Sequence, residues 1–167
     1  MIGDSHVRRM RDTHGSYEFF KARGIDIEFR CRGGATTNFL TIPTHQQKYD
    51  LIVFSIGTND IDQGKTPYNL IQELFHYAWQ YVYYEFTPKV VVMSLFPRYV
   101  TNVNRQIEVF NHMLRSYSND YCAGWLWSKK LTLRLRYDGV HLTNRCYTRA
   151  LKYLASPIYL FGRLRRY

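Results

Sequence analysis

The stretch Leu51-Ile52-Val53-Phe54-Ser55-Ile56-Gly57-Thr58-Asn59-Asp60 decides the fold class. Its first six residues are a run of β-formers without the polar alternation of a half-wet strand. That pattern belongs to a strand buried on both faces, as in a parallel sheet covered by helices. Gly57-Thr58-Asn59-Asp60 follows at the strand's exit, and open α/β sheets bind ligands outside the carboxyl ends of their strands. Asn59 and Asp60 therefore read either as site residues or as the caps of an ordinary turn.

Downstream, Thr66-Pro67 is a helix start, with threonine as N-cap and proline at the first helical position. Leu70, Ile71, Leu74, Phe75, Ala78, Trp79, Val82 and Phe86 repeat at three and four and give the helix a broad apolar face, with Pro88 beyond it. Trp79, Tyr81, Tyr83 and Tyr84 read as core and interface packing rather than a binding platform. Lys89 to Leu95 is a second buried strand, so Phe96-Pro97-Arg98-Tyr99 opens a loop on the same edge as Asn59 if the sheet is parallel. Val103, Ile107, Phe110, Leu114 and Tyr117 mark another amphipathic helix, with His112 solvated off its stripe. Trp125-Leu126-Trp127 is expected as a last short strand, and Leu131 to Arg136 as an exposed strand or extended loop. In the closing helix, capped by Thr143 or Asn144, Tyr147, Ala150, Leu151 and Leu154 form the inner face. Pro157 is expected to stop it, leaving a basic tail over about residues 158–167.

Upstream, Ile25-Asp26-Ile27-Glu28-Phe29 alternates and predicts a strand with one wet face. It leads into Arg32-Gly33-Gly34-Ala35-Thr36, where two glycines allow a sharp turn that aims amides at a ligand. Thr37 to Leu40 reads as a short helix. At the front stands Gly3-Asp4-Ser5-His6, with only Met1 and Ile2 to form a strand before it. A basic helix runs from Ser5 to about Thr13, with Gly15 near its end, and a helix N-terminus at Ser5 favours negative charge there. The strand-helix unit recurs about five times. That order predicts one domain over residues 1–167, a three-layer α/β/α sandwich with a mainly parallel five-stranded sheet.

A serine hydroxyl needs a base, a group that orients the base, and donors for the oxyanion formed on attack. Ser5, His141 and Asp138, with the loops at Gly34 and Asn59, supply those types. Asp138 and His141 lie three apart, within reach of one short loop. These pieces, in this order, resemble the blocks of the SGNH (GDSL-type) hydrolase superfamily. The resemblance runs from Gly3 to His141. It implies a flavodoxin-like sheet of order 2-1-3-4-5, Ser5 as nucleophile, Asp138 as orienting acid and His141 as base. It also implies an oxyanion hole from Ser5, Gly34 and Asn59, with neither metal nor cofactor. The substrate would be a small ester or an acylated molecule. The G-x-S-x-G elbow of α/β-hydrolases, the G-x-x-x-x-G-K-[ST] phosphate loop and H-E-x-x-H are all absent.

Composition sets the remaining bounds. With 46% apolar and 22% charged residues, the chain reads as globular. No run approaches the roughly 18 apolar residues of a membrane span, and without a basic n-region followed by an apolar h-region no signal peptide is expected. Cys31, Cys122 and Cys146 lack metal or disulfide spacing and read as small buried residues in a reducing compartment, so an intracellular location, cytoplasmic or nuclear, is expected. The charge is uneven. Residues 121–167 carry ten Lys and Arg against Asp138 alone, and so hold nearly all of the net +10. Lys129, Lys130, Arg134, Arg136, Arg163, Arg165 and Arg166 are therefore candidates for weak, sequence-independent contact with nucleic-acid phosphates, or for a solvated basic face. A nucleic-acid-associated module is accordingly the alternative function. Esterase domains of the resembled family also occur in some non-LTR retrotransposons, which fits that picture. A catalytically dead interaction domain is a third reading, disfavoured by the intact set of Ser5, Asn59, Asp138 and His141. Oligomeric state is not legible.

Overall fold

The structure is a computed structural model and describes residues 1–41, 48–87, 89–117, 122–125 and 138–163. In chain order the elements are β1 (Ile2–Gly3), α1 (Ser5–Arg11), α2 (Ser16–Lys21), β2 (Arg30–Cys31), a 3-10 turn (Thr37–Leu40), β3 (Ile52–Ser55) and α3 (Thr58–Asp62). α4 (Pro67–Tyr83), β4 (Val90–Met93), α5 (Thr101–Leu114), β5 (Cys122–Trp125) and α6 (Asn144–Arg163) complete the set. The five strands form one sheet of order β2-β1-β3-β4-β5, and every neighbouring pair is parallel. Fold class and strand order are those expected.

Side-chain alternation in the central strands produces the layers. Ile52 and Phe54 of β3, with Val90 and Val92 of β4, face a core closed by Leu70, Ile71 and Leu74 of α4 and Ile107, Phe110 and Leu114 of α5. Val53, Val91 and Met93 point the other way, onto Val7 and Met10 of α1, Phe20 of α2 and Tyr147, Ala150, Leu151 and Leu154 of α6. Both faces of β3 and β4 are thus covered, which is why their sequences carry no polar alternation. α4 starts as read: the Thr66 side chain accepts from the Asn69 N–H at 3.2 Å, with Pro67 at the first turn. No helix among the described residues is long and apolar enough to cross a membrane.

Several expectations are corrected. Residues 25–29 are not a strand, and β2 is only Arg30–Cys31. Its ladder with β1 pairs only Ile2 with Arg30 and Gly3 with Cys31, and ahead of it the Met1 amino group donates to the Glu28 carbonyl at 2.6 Å. Ile25, Ile27 and Phe29 still pack on the α1–α6 core, so their alternation records burial without a ladder. The last strand is Cys122–Trp125, not Trp125 to Trp127; position 124 has no side chain and meets the backbone of Leu114 in α5. Gly15 precedes α2, a helix that was not anticipated. Trp79 leaves the apolar face of α4 and is 43% exposed, and Tyr83 and Tyr84 are exposed with it, whereas Tyr81 is buried. Pro157 does not stop α6, which continues to Arg163. The expected tail from about residue 158 therefore begins as helix. Tertiary packing of the Tyr147 to Leu154 stripe outweighs the local preference of one proline. Leu126, Trp127 and the stretch from Leu131 to Arg136 lie outside the described residues.

Gly3 is where β1 meets β3 most closely. A Cβ there would lie 2.2 Å from the Ser55 carbonyl oxygen and 2.3 Å from Val7 Cγ2. The first obstacle is backbone and cannot rotate away. Gly3→Ala should therefore destabilise the fold by about 3 kcal/mol or more, measured as a lower urea midpoint at unchanged m-value. Wild-type stability in this variant would show that β1 is not held at that distance.

Candidate active site

Because all strands are parallel, the segments after β1, β2, β3 and β4 emerge on one edge of the sheet. Asp4, Ser5 and the loops at Gly34, Asn59 and Arg98 meet there, and the Asp138 to His141 loop joins them ahead of α6.

Ser5 is the first residue of α1. The preceding Asp4 is buried and caps that helix, its carboxylate accepting from the His6 N–H at 2.8 Å. The first amides of a helix have no intrahelical acceptor, so the Ser5 N–H remains available as a donor. Ser5 Oγ lies 3.0 Å from His141 Nε2. His141 Nδ1 lies 3.0 Å from Asp138 Oδ2. The other Asp138 oxygen, Oδ1, accepts from the backbone N–H of Val140 at 3.0 Å and of His141 at 2.9 Å. Those two backbone donors and the imidazole hold the Asp138 carboxyl well below the usual carboxylate range. It stays ionised, takes the Nδ1 proton as a hydrogen bond, and leaves the lone pair of Nε2 facing Ser5.

The opposite wall is built around Asn59. Its Nδ2 donates to the Ala35 carbonyl at 2.8 Å, which draws the Gly34 loop against α3. Gly34 has a φ of 71°, a conformation that favours glycine and turns the chain into Ala35. Below this contact, Asp60 is buried and accepts from the Thr37 N–H at 3.1 Å, the Thr37 hydroxyl at 2.6 Å and Lys65 Nζ at 2.8 Å. Lys65 also pairs with Glu73. Lys65, just beyond α3, is thus turned inward to a structural network.

Three sets of contacts were not read from the sequence. Arg98 reaches across from the β4–α5 loop to Asn59 and Asp62. Asn111 of α5 acts as a surrogate ladder partner, accepting from Leu95 N–H at 2.7 Å and donating to Leu95 carbonyl at 3.0 Å. His6 is buried, and its Nδ1 sits 2.9 Å from the Tyr147 hydroxyl, which also accepts from the Leu142 N–H at 3.3 Å. An alternation or capping signal could not have marked these, since each joins residues far apart in the chain. The candidate nucleic-acid residues Lys129, Lys130, Arg134, Arg136, Arg165 and Arg166 lie outside the described residues, and of Arg163 only the helical backbone is described.

No protein-family model matches this chain, and no curated protein matches it. Solved structures do. A serine-to-alanine mutant of an acetyl esterase, with acetate ion, superposes with a TM-score of 0.74 at 15% identity, covering 98% of this chain and 97% of that one. A carbohydrate esterase family 3 protein from Talaromyces cellulolyticus gives 0.73 at 15% identity over the same shares. A member of the lipolytic G-D-S-L family from Veillonella parvula gives 0.67 at 17% identity, covering 95% of this chain and 96% of that one. The chain has the SGNH (GDSL-type) hydrolase fold.

Two buried groups beside Ser5 make opposite pH demands. Burial first, then the His141, Arg98 and Arg9 charges, lower the His6 pKa from 6.5 to about 3. Burial raises the Asp4 pKa from 3.8 to about 6. The unfolded chain binds the His6 proton below 6.5 and the folded chain only near 3, so the His6 contribution is lost as pH falls through that window. The folded chain holds the Asp4 proton up to about 6, so the Asp4 contribution is present at low pH and lost as pH rises from 3.8 to 6. Relative to wild type, His6→Asn should lose less stability between pH 6.5 and 4.5, and Asp4→Asn should lose more. Urea unfolding at three pH values decides it; parallel curves for all three proteins would refute both assignments.

Proposed function

We propose that this protein is a serine esterase that cleaves carboxylic esters through an acyl-enzyme on Ser5. One observation carries the reading: the unbroken chain of contacts from Ser5 Oγ to His141 Nε2 and from His141 Nδ1 to Asp138, each 3.0 Å long. Its likeness in fold to acetyl and carbohydrate esterases supports a small acyl group, with acetyl the first to test.

In this mechanism Ser5 Oγ attacks the ester carbonyl carbon while His141 Nε2 takes the hydroxyl proton. Asp138 stabilises the imidazolium so formed. Negative charge gathers on the former carbonyl oxygen, where the N–H groups of Ser5 and Gly34 and the second Nδ2 hydrogen of Asn59 receive it. The tetrahedral adduct collapses as the alcohol leaves with the proton from His141. Water, deprotonated by the same imidazole, then releases the acid and restores Ser5. None of these residues must change rotamer class to begin, because the serine and histidine already lie within hydrogen-bond reach.

Ser5→Ala and His141→Ala should each lower kcat on 4-nitrophenyl acetate by about 10⁴ or more. Asn59→Ala should lower it by about 10² to 10³ with little change in KM. A fluorophosphonate probe should label wild type and not Ser5→Ala. Equal turnover by wild type and Ser5→Ala, with labelling of both, would end the serine-esterase reading.

A further inference from the structure

A carboxamide has two ends of similar shape and opposite polarity. An asparagine donates to an oxyanion only if its surroundings decide which end faces the substrate. At Asn59 the surroundings are of two unlike kinds. The Ala35 carbonyl can only accept and lies 2.8 Å from Nδ2. The Arg98 guanidinium can only donate, and its Nη2 lies 3.2 Å from Oδ1. Turning the amide by half a turn would set carbonyl against carbonyl and amino group against guanidinium.

We propose that Arg98 is a positioning residue that fixes the polarity of the Asn59 amide, and thereby makes Asn59 a donor in the oxyanion hole. The inference rests on the serine-esterase reading for its catalytic consequence, though not for the orientation itself.

Arginine suits this task in a way that lysine does not. Asn59 and Asp62 stand three apart on α3, on one face of its single turn. The planar guanidinium spans both, Nη2 on Asn59 and Nη1 on Asp62. A guanidinium carries donors and no acceptor, so it does not tolerate the reversed amide. The arginine is itself held at its root. Its own N–H donates to Asn104 Oδ1 at 3.1 Å, and the next N–H, that of Tyr99, donates to the Gly139 carbonyl at 3.0 Å. Two consecutive residues thus tie the Asn59 side of the site to the Asp138–His141 loop. The Arg98 side chain is 9% exposed, and its buried Nε has no partner among the described residues. A guanidinium buried with a donor unspent is a costly stabiliser. Its geometry is that of an orienting clamp.

The test pairs a spectrum with a mutant cycle. In the wild-type protein the Asn59 side-chain NH₂ should give one sharp pair of ¹⁵N–¹H resonances. In Arg98→Met the pair should broaden or double while the rest of the spectrum stays folded. If Arg98→Met does not fold, Arg98→Lys, which keeps the charge and loses the fork, is read in the same way. On 4-nitrophenyl acetate, the Arg98 variant should lower kcat by about 10-fold to 10²-fold, less than the loss of Asn59 itself, at nearly constant KM and with the pH midpoint of the rate unmoved. In an Asn59→Ala background the same variant should have no further effect, because it acts only through Asn59. Unchanged Asn59 resonances in the variant would overturn the proposal, and so would a second, additive loss in the Asn59→Ala background. If Ser5→Ala leaves turnover intact, the esterase reading falls, and the Asn59 resonances alone still decide the role of Arg98.

Discussion

A carboxylate buried at the exit of a strand has to be neutralised, and the way Asp60 is neutralised holds the Gly34–Asn59 side of the site together. Its partners come from two different loops. Thr37 supplies a backbone and a hydroxyl donor from beyond β2, and Lys65 supplies a cation from beyond α3. Removing one partner from so buried a group would leave an uncompensated charge, a loss of about 3 to 5 kcal/mol. The consequence is spatial. Residue 37 cannot move relative to residue 60 without breaking that set, so Ala35 and Asn59, each within two residues of those anchors, meet at a fixed 2.8 Å.

The other half of the site has a different foundation. Here the fixing element is the packing of α1 on α6. Val7 and Met10 pack in one cluster with Tyr147, Ala150 and Leu151, and the Tyr147 hydroxyl joins His6 Nδ1 to the Leu142 N–H, while the buried His6 Nε2 has no partner among the described residues. Leu142 follows His141 directly. A bond to its N–H therefore sets the height of His141 above Ser5, while Asp138 sets the rotation of the ring. The distance from Ser5 to His141 is thus controlled from the core, and the orientation of the His141 ring from the rim.

Ser5, Asp138 and His141 were singled out in the sequence by their types and order, and the fold brings the three into contact. The buried strands β3 and β4 were legible because a strand covered on both faces leaves an unmistakable apolar run. Other features were hidden for physical reasons. The Ile25 to Phe29 alternation records partial burial against the α1–α6 core, while the ladder with β1 takes in only Arg30 and Cys31. The stop expected at Pro157 follows from local propensity, which packing along a long helix overrides. Arg98 carries no local signal at all. Its meaning comes from Asn59 and Asp62, 39 and 36 positions away, and no periodicity connects them.

The two histidines near Ser5 show how one residue type is given two roles by its surroundings. Their rings are 5.6 Å apart. In the proposed reaction His141 must become an imidazolium, and a second positive charge at that separation would oppose it by about 3 kcal/mol at an effective dielectric of about 20. That is enough to slow the step more than a hundredfold. Burial removes the conflict, because His6 is held neutral down to a pH of about 3. The Tyr147 hydroxyl, itself kept protonated by burial, is the hydrogen-bond partner of His6 Nδ1 at 2.9 Å. His141 keeps a partly open position, with an ionised carboxylate on its far side and the serine on its near side. The same ring is thus a neutral packing element at position 6 and a proton acceptor at position 141, and the difference lies in desolvation and in the single charge of Asp138.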